Sequence, residues 1–144
     1  MELILWRHAD AEDGAPDLER RLTKKGRKQA ARVAEWLLAR LPKDFVVIAS
    51  PAARAQQTAE ALGARIKTVD QLAPGASVAK ILKAAGWPDA EGTVVLVGHQ
   101  PDLGRAAAQL VGGTHAEWSI KKGGLWWLAE EPAEVRAVIS PDLL

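Results

Sequence analysis

The sequence predicts an α/β sandwich built on a largely parallel central sheet. Short apolar runs alternate along the 144 residues with stretches whose apolar residues follow helical spacing. Three of the runs, at 3–6, 45–49 and 93–97, are apolar apart from Thr93, which is typical of parallel strands buried on both faces. No repeat, low-complexity segment or linker interrupts the pattern, so we expect one domain over residues 1–144.

Residues that favour helix starts and stops set the predicted boundaries. Thr23, Ser50 and Ser77 each precede a helical stretch as N-caps, and Pro51 suits a first helical position. Pro42 ends the first helix. We expect strands at 3–6, 45–49, 65–69 and 93–97, and two more within 124–139 around 130–133. Helices are expected at 24–41, 51–63, 78–85 and 101–112. The segments 11–22 and 71–75 are expected to be loops, and 121–124 a turn.

Composition excludes several classes of protein. With 19 Lys and Arg against 18 Asp and Glu the formal net charge is +1, which favours neither nucleic acid nor a membrane surface as partner. There is no cysteine, so disulfides and Cys-ligated metals are excluded. No apolar stretch approaches the roughly 18 residues of a membrane span, and no signal-peptide pattern is visible. We therefore expect a cytoplasmic protein.

The three buried strands end in similar polar residues. The first runs into Arg7 and His8, the second is followed by Arg54 in the first turn of its helix, and the third runs into His99. The carboxyl ends of parallel strands share one edge of a sheet, where ligands bind. Two of the chain's three histidines lie at these ends, whereas His115 is expected at the surface. We expect two arginines and two histidines to converge.

A phosphoryl group is the ligand that this set of residues fits best. Arginine offers paired donors that match phosphate oxygens, and a neutral histidine can attack phosphorus and carry the phosphoryl group covalently. Neighbouring cations depress the pKa of such a histidine and keep it neutral. His8 and Asp10 have the spacing of a metal-binding pair, but too few further ligands accompany them, so no metal is predicted.

Three motifs then resemble those of the histidine phosphatase superfamily. A fourth segment, 20–26, is similar to the Pro-Leu-Thr-x-x-Gly segment of that family. The resemblance covers nearly the whole chain and implies a phosphoglycerate mutase-like, three-layer α/β/α sandwich. The three motifs are Leu5-Trp6-Arg7-His8-Ala9, Ser50-Pro51-Ala52-Ala53-Arg54-Ala55-Gln56-Gln57-Thr58-Ala59 and Val97-Gly98-His99-Gln100-Pro101.

The short chain narrows the resemblance to the SixA-type phosphohistidine phosphatases. Only about forty residues separate the second motif from the third, which leaves no room for the lid insertions of larger members. By this resemblance His8 is the nucleophile, and Arg7, Arg54 and His99 bind the phosphoryl group. Arg20 is an additional phosphate ligand, and neither a metal nor a cofactor is implied.

Two positions depart from the family pattern. Ala9 replaces the usual glycine, and Gln71 stands where many members place a catalytic glutamate. Asp10 is the best remaining candidate acid, although it could instead orient Arg7 or a loop. An alkoxide leaving group requires a positioned acid, whereas phosphohistidine needs one less, because its far ring nitrogen takes a proton from water.

The expected function is therefore that of a metal-independent phosphohistidine phosphatase acting on a phosphohistidine-bearing protein. Two alternatives remain open from the sequence. One is a phosphatase of small phosphorylated metabolites, since a pocket without a lid would admit them too. The other is a non-catalytic phosphate-binding module on the same fold.

Overall fold

The computed structural model describes residues 1–144 and is organised around one six-stranded sheet in the order β3-β2-β4-β1-β5-β6. The first four strands in this order run parallel to one another, β5 is antiparallel to β1, and β6 is antiparallel to β5. The sheet is therefore largely parallel, as predicted. Its strands are β1 (Glu2–Arg7), β2 (Phe45–Ala49), β3 (Ile66–Thr68), β4 (Thr93–Gly98), β5 (Leu125–Ala129) and β6 (Glu134–Ile139).

Four helices cover the two faces of the sheet and complete three layers. They are α1 (Lys24–Leu38), α2 (Ala53–Glu60), α3 (Val78–Ala85) and α4 (Asp102–Gly112). The first two pack on one face and the last two on the other, so the α/β/α sandwich is confirmed. None of these helices is long and apolar enough to cross a membrane.

Strand β1 shows why its sequence lacks an alternating pattern. Leu3 and Leu5 belong to the core beneath α3 and α4, whereas Ile4 and Trp6 belong to the core beneath α1 and α2. All four side chains are fully buried. Successive side chains of a strand point to opposite faces, so a strand covered on both sides must be apolar throughout.

Helices α1 and α2 are both shorter than the sequence predicts. Helix α1 ends at Leu38 and not at Leu41, because Pro42 disfavours helical geometry in the residue before it and the last residues form a turn instead. Helix α2 spans Ala53–Glu60 and not 51–63. Its N-cap is Ala52, so neither Ser50 as the cap nor Pro51 as the first helical residue is correct. The predicted caps Thr23 and Ser77 are confirmed, because their hydroxyls accept the N–H groups of Gly26 and Lys80.

The segments predicted as loops contain short 3₁₀ turns, at Asp17–Glu19 and at Asp70–Leu72. The predicted hairpin of the tail is confirmed as β5 and β6. Within it Trp127 is buried against α1, and Trp126 is half-buried on the other face.

Gly26 allows α1 to approach the end of the first motif, and this contact gives a stability prediction. A Cβ atom at this position would lie 1.9 Å from the backbone oxygen of Asp10. We expect Gly26→Ala to lower the free energy of unfolding by about 1–3 kcal/mol, as overpacked sites do. Urea denaturation measures it, with Ala31→Gly on the exposed face of α1 as control, where about 1 kcal/mol is expected from helix propensity alone. Unchanged stability of Gly26→Ala would contradict the close approach.

Candidate active site

The sheet order brings the first and third motifs together. Strands β1 and β4 are hydrogen-bonded neighbours with Arg7 opposite Gly98, so the residues that follow them lie side by side. The ring centres of His8 and His99 are 5.3 Å apart, and their planes are tilted by 56°. Both rings are buried, with 9% and 3% of the residue exposed. The predicted convergence of the two histidines is observed.

One ring nitrogen of His8 has a hydrogen-bond partner in the protein, and the other has none. Its Nδ1 lies 2.8 Å from the carbonyl oxygen of Ala9. Because a carbonyl only accepts, Nδ1 carries the proton, and Nε2 keeps a lone pair. Burial first, and then the positive charges of Arg54, Arg7 and Arg20, lower the pKa of His8 to about 4. The imidazole is therefore neutral at pH 7 and nucleophilic at Nε2.

The His99 ring contacts a residue that the sequence analysis placed in a helix cap. Its Nε2 lies 2.7 Å from the hydroxyl oxygen of Ser50, and its Nδ1 is buried without a hydrogen-bond partner. Burial first, and then the charges of His8 and Arg54, lower the pKa of His99 to about 3. This ring is neutral at pH 7 as well.

Arg7 is fixed by the segment 120–124, of which the sequence predicted only 121–124, as a turn. Its Nη1 donates to the carbonyl oxygen of Ile120 at 2.7 Å, and its backbone N–H donates to Gly124. Gly123 donates to the carbonyl oxygen of His8. The Nε of Arg7 is buried with no partner in the protein, so a donor remains for a ligand.

Arg54 is only 4% exposed and forms an ion pair with Asp17, which the sequence did not indicate as a site residue. Its Nη2 lies 3.0 Å from the Asp17 carboxylate, and its Nη1 donates to the Asp17 carbonyl oxygen at 2.8 Å. The other carboxylate oxygen of Asp17 accepts from Arg20 at 3.1 Å. The hydrogen bond from Arg54, followed by that from Arg20, lowers the pKa of Asp17. Arg54 and Arg20 therefore converge on one anionic group.

Thr58 connects the second motif to the first. Its hydroxyl donates to the carbonyl oxygen of Arg54 at 2.8 Å and accepts the backbone N–H of Ala9 at 3.0 Å. Ala9 itself has an ordinary negative φ, which confirms that an L-residue is tolerated there. Nothing local in the sequence predicts this contact, because Ala9 and Thr58 are 49 residues apart.

The candidate acid Asp10 is bound by two donors. Its carboxylate accepts from Lys122 at 2.9 Å and from Thr23 at 2.7 Å. These two hydrogen bonds, that from Lys122 being the stronger, lower the pKa of Asp10. A lowered pKa opposes proton donation, so the contacts favour the loop-orienting alternative. Gln71 is exposed on the turn after β3.

The remaining histidine, His115, is exposed near the beginning of the loop that follows α4. No three His, Asp or Glu side chains are grouped so that they could hold a metal ion. The side chains that converge here are two arginines and two neutral imidazoles, with Arg20 beside them, and the arginine donors are suited to an oxyanion.

Comparison with known proteins agrees with this geometry. A model of the histidine phosphatase superfamily (branch 1) matches residues 3–75, just over half of the chain. The chain belongs to this superfamily. An uncharacterized protein of Picosynechococcus sp. is 39% identical to this chain over 157 residues, which cover 99% of this chain and 93% of the relative.

Two solved structures have the same fold as this chain. The protein histidine phosphatase SixA in complex with tungstate superposes with a TM-score of 0.83 and 25% identity, covering 99% of both chains. A phosphoserine phosphatase of Entamoeba histolytica, solved with 3-phosphoglyceric acid, superposes with a TM-score of 0.72 and 15% identity over 96% of each chain, which shows a shared fold. The phosphoglycerate mutase-like fold and the likeness to SixA are confirmed.

The lowered pKa values of His8 and His99 predict a loss of stability in mild acid. Unfolded histidine has a pKa near 6.5, so below that pH the unfolded chain takes up protons that His8 and His99 in the folded chain refuse. Stability should be full above pH 6.5 and fall as the pH approaches 4. We expect a loss of about 2–3 kcal/mol for each ring between pH 7 and 4.5, measured by urea denaturation.

Two variants separate this effect from general acid sensitivity. His8→Asn removes one of the titrating rings and should reduce the difference between the two pH values. His115→Asn removes an exposed ring and should leave the difference as in the wild type. An equal response of the two variants would contradict the lowered pKa of His8.

Proposed function

We propose that this protein is a phosphohistidine phosphatase that works through a covalent phosphohistidine intermediate on His8. The observation that carries the proposal is the state of His8, a neutral ring whose Nδ1 donates to a backbone carbonyl and whose Nε2 has no hydrogen-bond partner. The ring lies next to His99 and is under the positive charges of Arg7 and Arg54. This arrangement provides a nucleophile and positive charge for the same phosphoryl group.

In the first step Nε2 of His8 forms a bond to phosphorus while the phosphorus–nitrogen bond of the substrate histidine breaks. The substrate ring keeps the electron pair of the broken bond, and a proton from water on its other nitrogen lets it leave as neutral imidazole. His8 becomes a phosphorylated imidazolium whose Nδ1–H continues to donate to Ala9. The two arginines bind the equatorial oxygens of the transferring group.

In the second step a water oxygen forms a bond to phosphorus and the bond to Nε2 breaks. The electron pair returns to Nε2, the water loses a proton to solvent or to the product, and inorganic phosphate leaves. His8 regains its starting neutral form. Neither step requires a carboxylic acid from the protein.

The carboxyl groups around the pocket support an activated phosphoryl donor as substrate. Asp10 and Asp17 both have lowered pKa values and remain ionised, and Gln71 carries no proton to give. Without an acid, an alkoxide with a conjugate-acid pKa of roughly 15 is a poor leaving group. The likeness to SixA, described as a protein histidine phosphatase, supports the same class of substrate.

Paired turnover assays test the proposal. A phosphohistidine-bearing protein is compared with a panel of small phosphomonoesters, with a chelator present throughout. We expect the phosphohistidine protein to be hydrolysed far faster. Preference for a phosphomonoester would assign the protein to small metabolites, and tight vanadate binding without turnover of either substrate would leave only a phosphate-binding module.

Asp10→Asn tests the acid role directly. Because its carboxylate is ionised and bound to Lys122 and Thr23, we expect turnover of both substrate types to stay within about threefold of the wild type. A loss of about 10²-fold or more, confined to phosphomonoesters, would restore Asp10 as the acid.

A further inference from the structure

Ser50 follows β2 at the same edge of the sheet as the two histidines, and its side chain is fully buried. The hydroxyl oxygen has two hydrogen-bond partners. The backbone N–H of Ala52 donates to it at 3.2 Å, and Nε2 of His99 lies 2.7 Å away. Because Ala52 only donates, His99 is the one partner to which the hydroxyl proton can be given.

The two neutral tautomers of His99 leave different numbers of buried groups unsatisfied. With the proton on Nε2, that N–H would donate to Ser50, and both the hydroxyl proton and the Nδ1 lone pair would be buried without partners. With the proton on Nδ1, the hydroxyl donates to Nε2 and only the Nδ1–H remains unpaired. A buried unpaired polar group costs about 1–3 kcal/mol, so the second tautomer is favoured.

The remaining Nδ1–H belongs to a ring whose centre is 5.3 Å from that of His8. A phosphoryl group on Nε2 of His8 would supply the acceptor that this donor lacks. The low pKa of His99 keeps the ring neutral, so that it has a single proton to place.

We propose that Ser50 is a positioning residue, whose hydroxyl donates to Nε2 of His99 and thereby fixes the proton on Nδ1, facing the phosphoryl group. His99 then acts as a neutral hydrogen-bond donor and not as a cation. This inference deepens the proposed function, on which its catalytic consequence rests, but the tautomer itself does not depend on the substrate.

Nitrogen-15 NMR of the histidine rings at pH 7.5 tests the proposal without any substrate. Long-range proton–nitrogen correlations distinguish a protonated from an unprotonated ring nitrogen, and the chain has only three histidines to assign. We expect wild-type His99 to be protonated on Nδ1 alone. In Ser50→Ala a mixture of tautomers or the Nε2–H form should appear, whereas Ser50→Thr, which keeps the hydroxyl, should retain the wild-type pattern.

Orthovanadate, as a phosphoryl mimic, gives the second measurement. Its Kd should rise about tenfold in Ser50→Ala, the lower end of what one hydrogen bond to an anion contributes. Ser77→Ala is the control, because it removes the exposed cap hydroxyl of α3 and should change neither the His99 spectrum nor the Kd.

A wild-type His99 protonated on Nε2 would overturn the proposal even if the variants failed to fold, and so would an Nδ1–H pattern that persists in folded Ser50→Ala. Failure of the proposed function has a different signature, namely the expected tautomers and vanadate binding without hydrolysis of a phosphohistidine protein.

Discussion

His8→Ala is expected to abolish turnover, with a loss of about 10⁴-fold or more in kcat, as for nucleophiles in other covalent mechanisms. Removing the ring eliminates the unprotonated nitrogen, Nε2 of His8, that the proposed mechanism uses to attack phosphorus. In the wild type, rapid quenching during turnover of a phosphorus-32-labelled substrate should trap label on the protein in a bond that is labile to acid and stable to alkali. Partial digestion and mass spectrometry should place the label on His8.

The matched control for this prediction is His115→Ala, which removes the exposed histidine in the loop after α4. It should label and turn over as the wild type does. Label on His99 in the wild type, or turnover by His8→Ala within about tenfold of the wild type, would contradict the assignment of the nucleophile.

Arg54→Ala is expected to lower kcat/KM by about 10²–10³-fold, the size of effect seen when one preorganised donor to a transition state is removed. The Asp17 carboxylate on Nη2 shows that this guanidinium holds an anion in its present orientation. Since lysine is a point charge and cannot reproduce the paired donors, Arg54→Lys should recover only a small part of the loss. Steady-state kinetics together with the Kd for vanadate measure both variants.

Arg105→Ala provides the comparison for Arg54, because Arg105 is exposed and pairs with Glu117 on the surface. A surface pair contributes little, so we expect unchanged kinetics and a stability within about 1 kcal/mol of the wild type. If Arg54→Ala bound vanadate as tightly as the wild type does, the phosphoryl group would have to lie elsewhere in the pocket.

The fold and the centre of the site could be predicted because they depend on local patterns. Continuous apolar runs identified the buried strands, and the residues directly after them identified His8, Arg54 and His99. The order of the strands then makes these residues neighbours. The convergence of these residues can therefore be predicted from which segments form the strands, without knowledge of any side-chain contact.

The contacts that tune the site could not be predicted, because they join segments with no local signal for each other. Asp17 stands in an aperiodic polar loop, yet its carboxylate lies on Arg54, 37 residues further along the chain. Ser50 was assigned to a helix cap because Ser-Pro is a common start of a helix, whereas its hydroxyl is bound to His99. Residues 121–124 had only the composition of a turn, but Gly124, together with Ile120, accepts hydrogen bonds from Arg7.

The position of β1 in the sheet has a consequence for the order in which the molecule can assemble. Leu3 pairs with Val94 in β4 on one side and with Leu128 in β5 on the other. During synthesis β1 therefore has to remain unpaired until residues more than 90 positions later have left the ribosome. Closing such long loops is slow, so an apolar strand stays available to chaperones, and phosphate binding appears only when the chain is nearly complete.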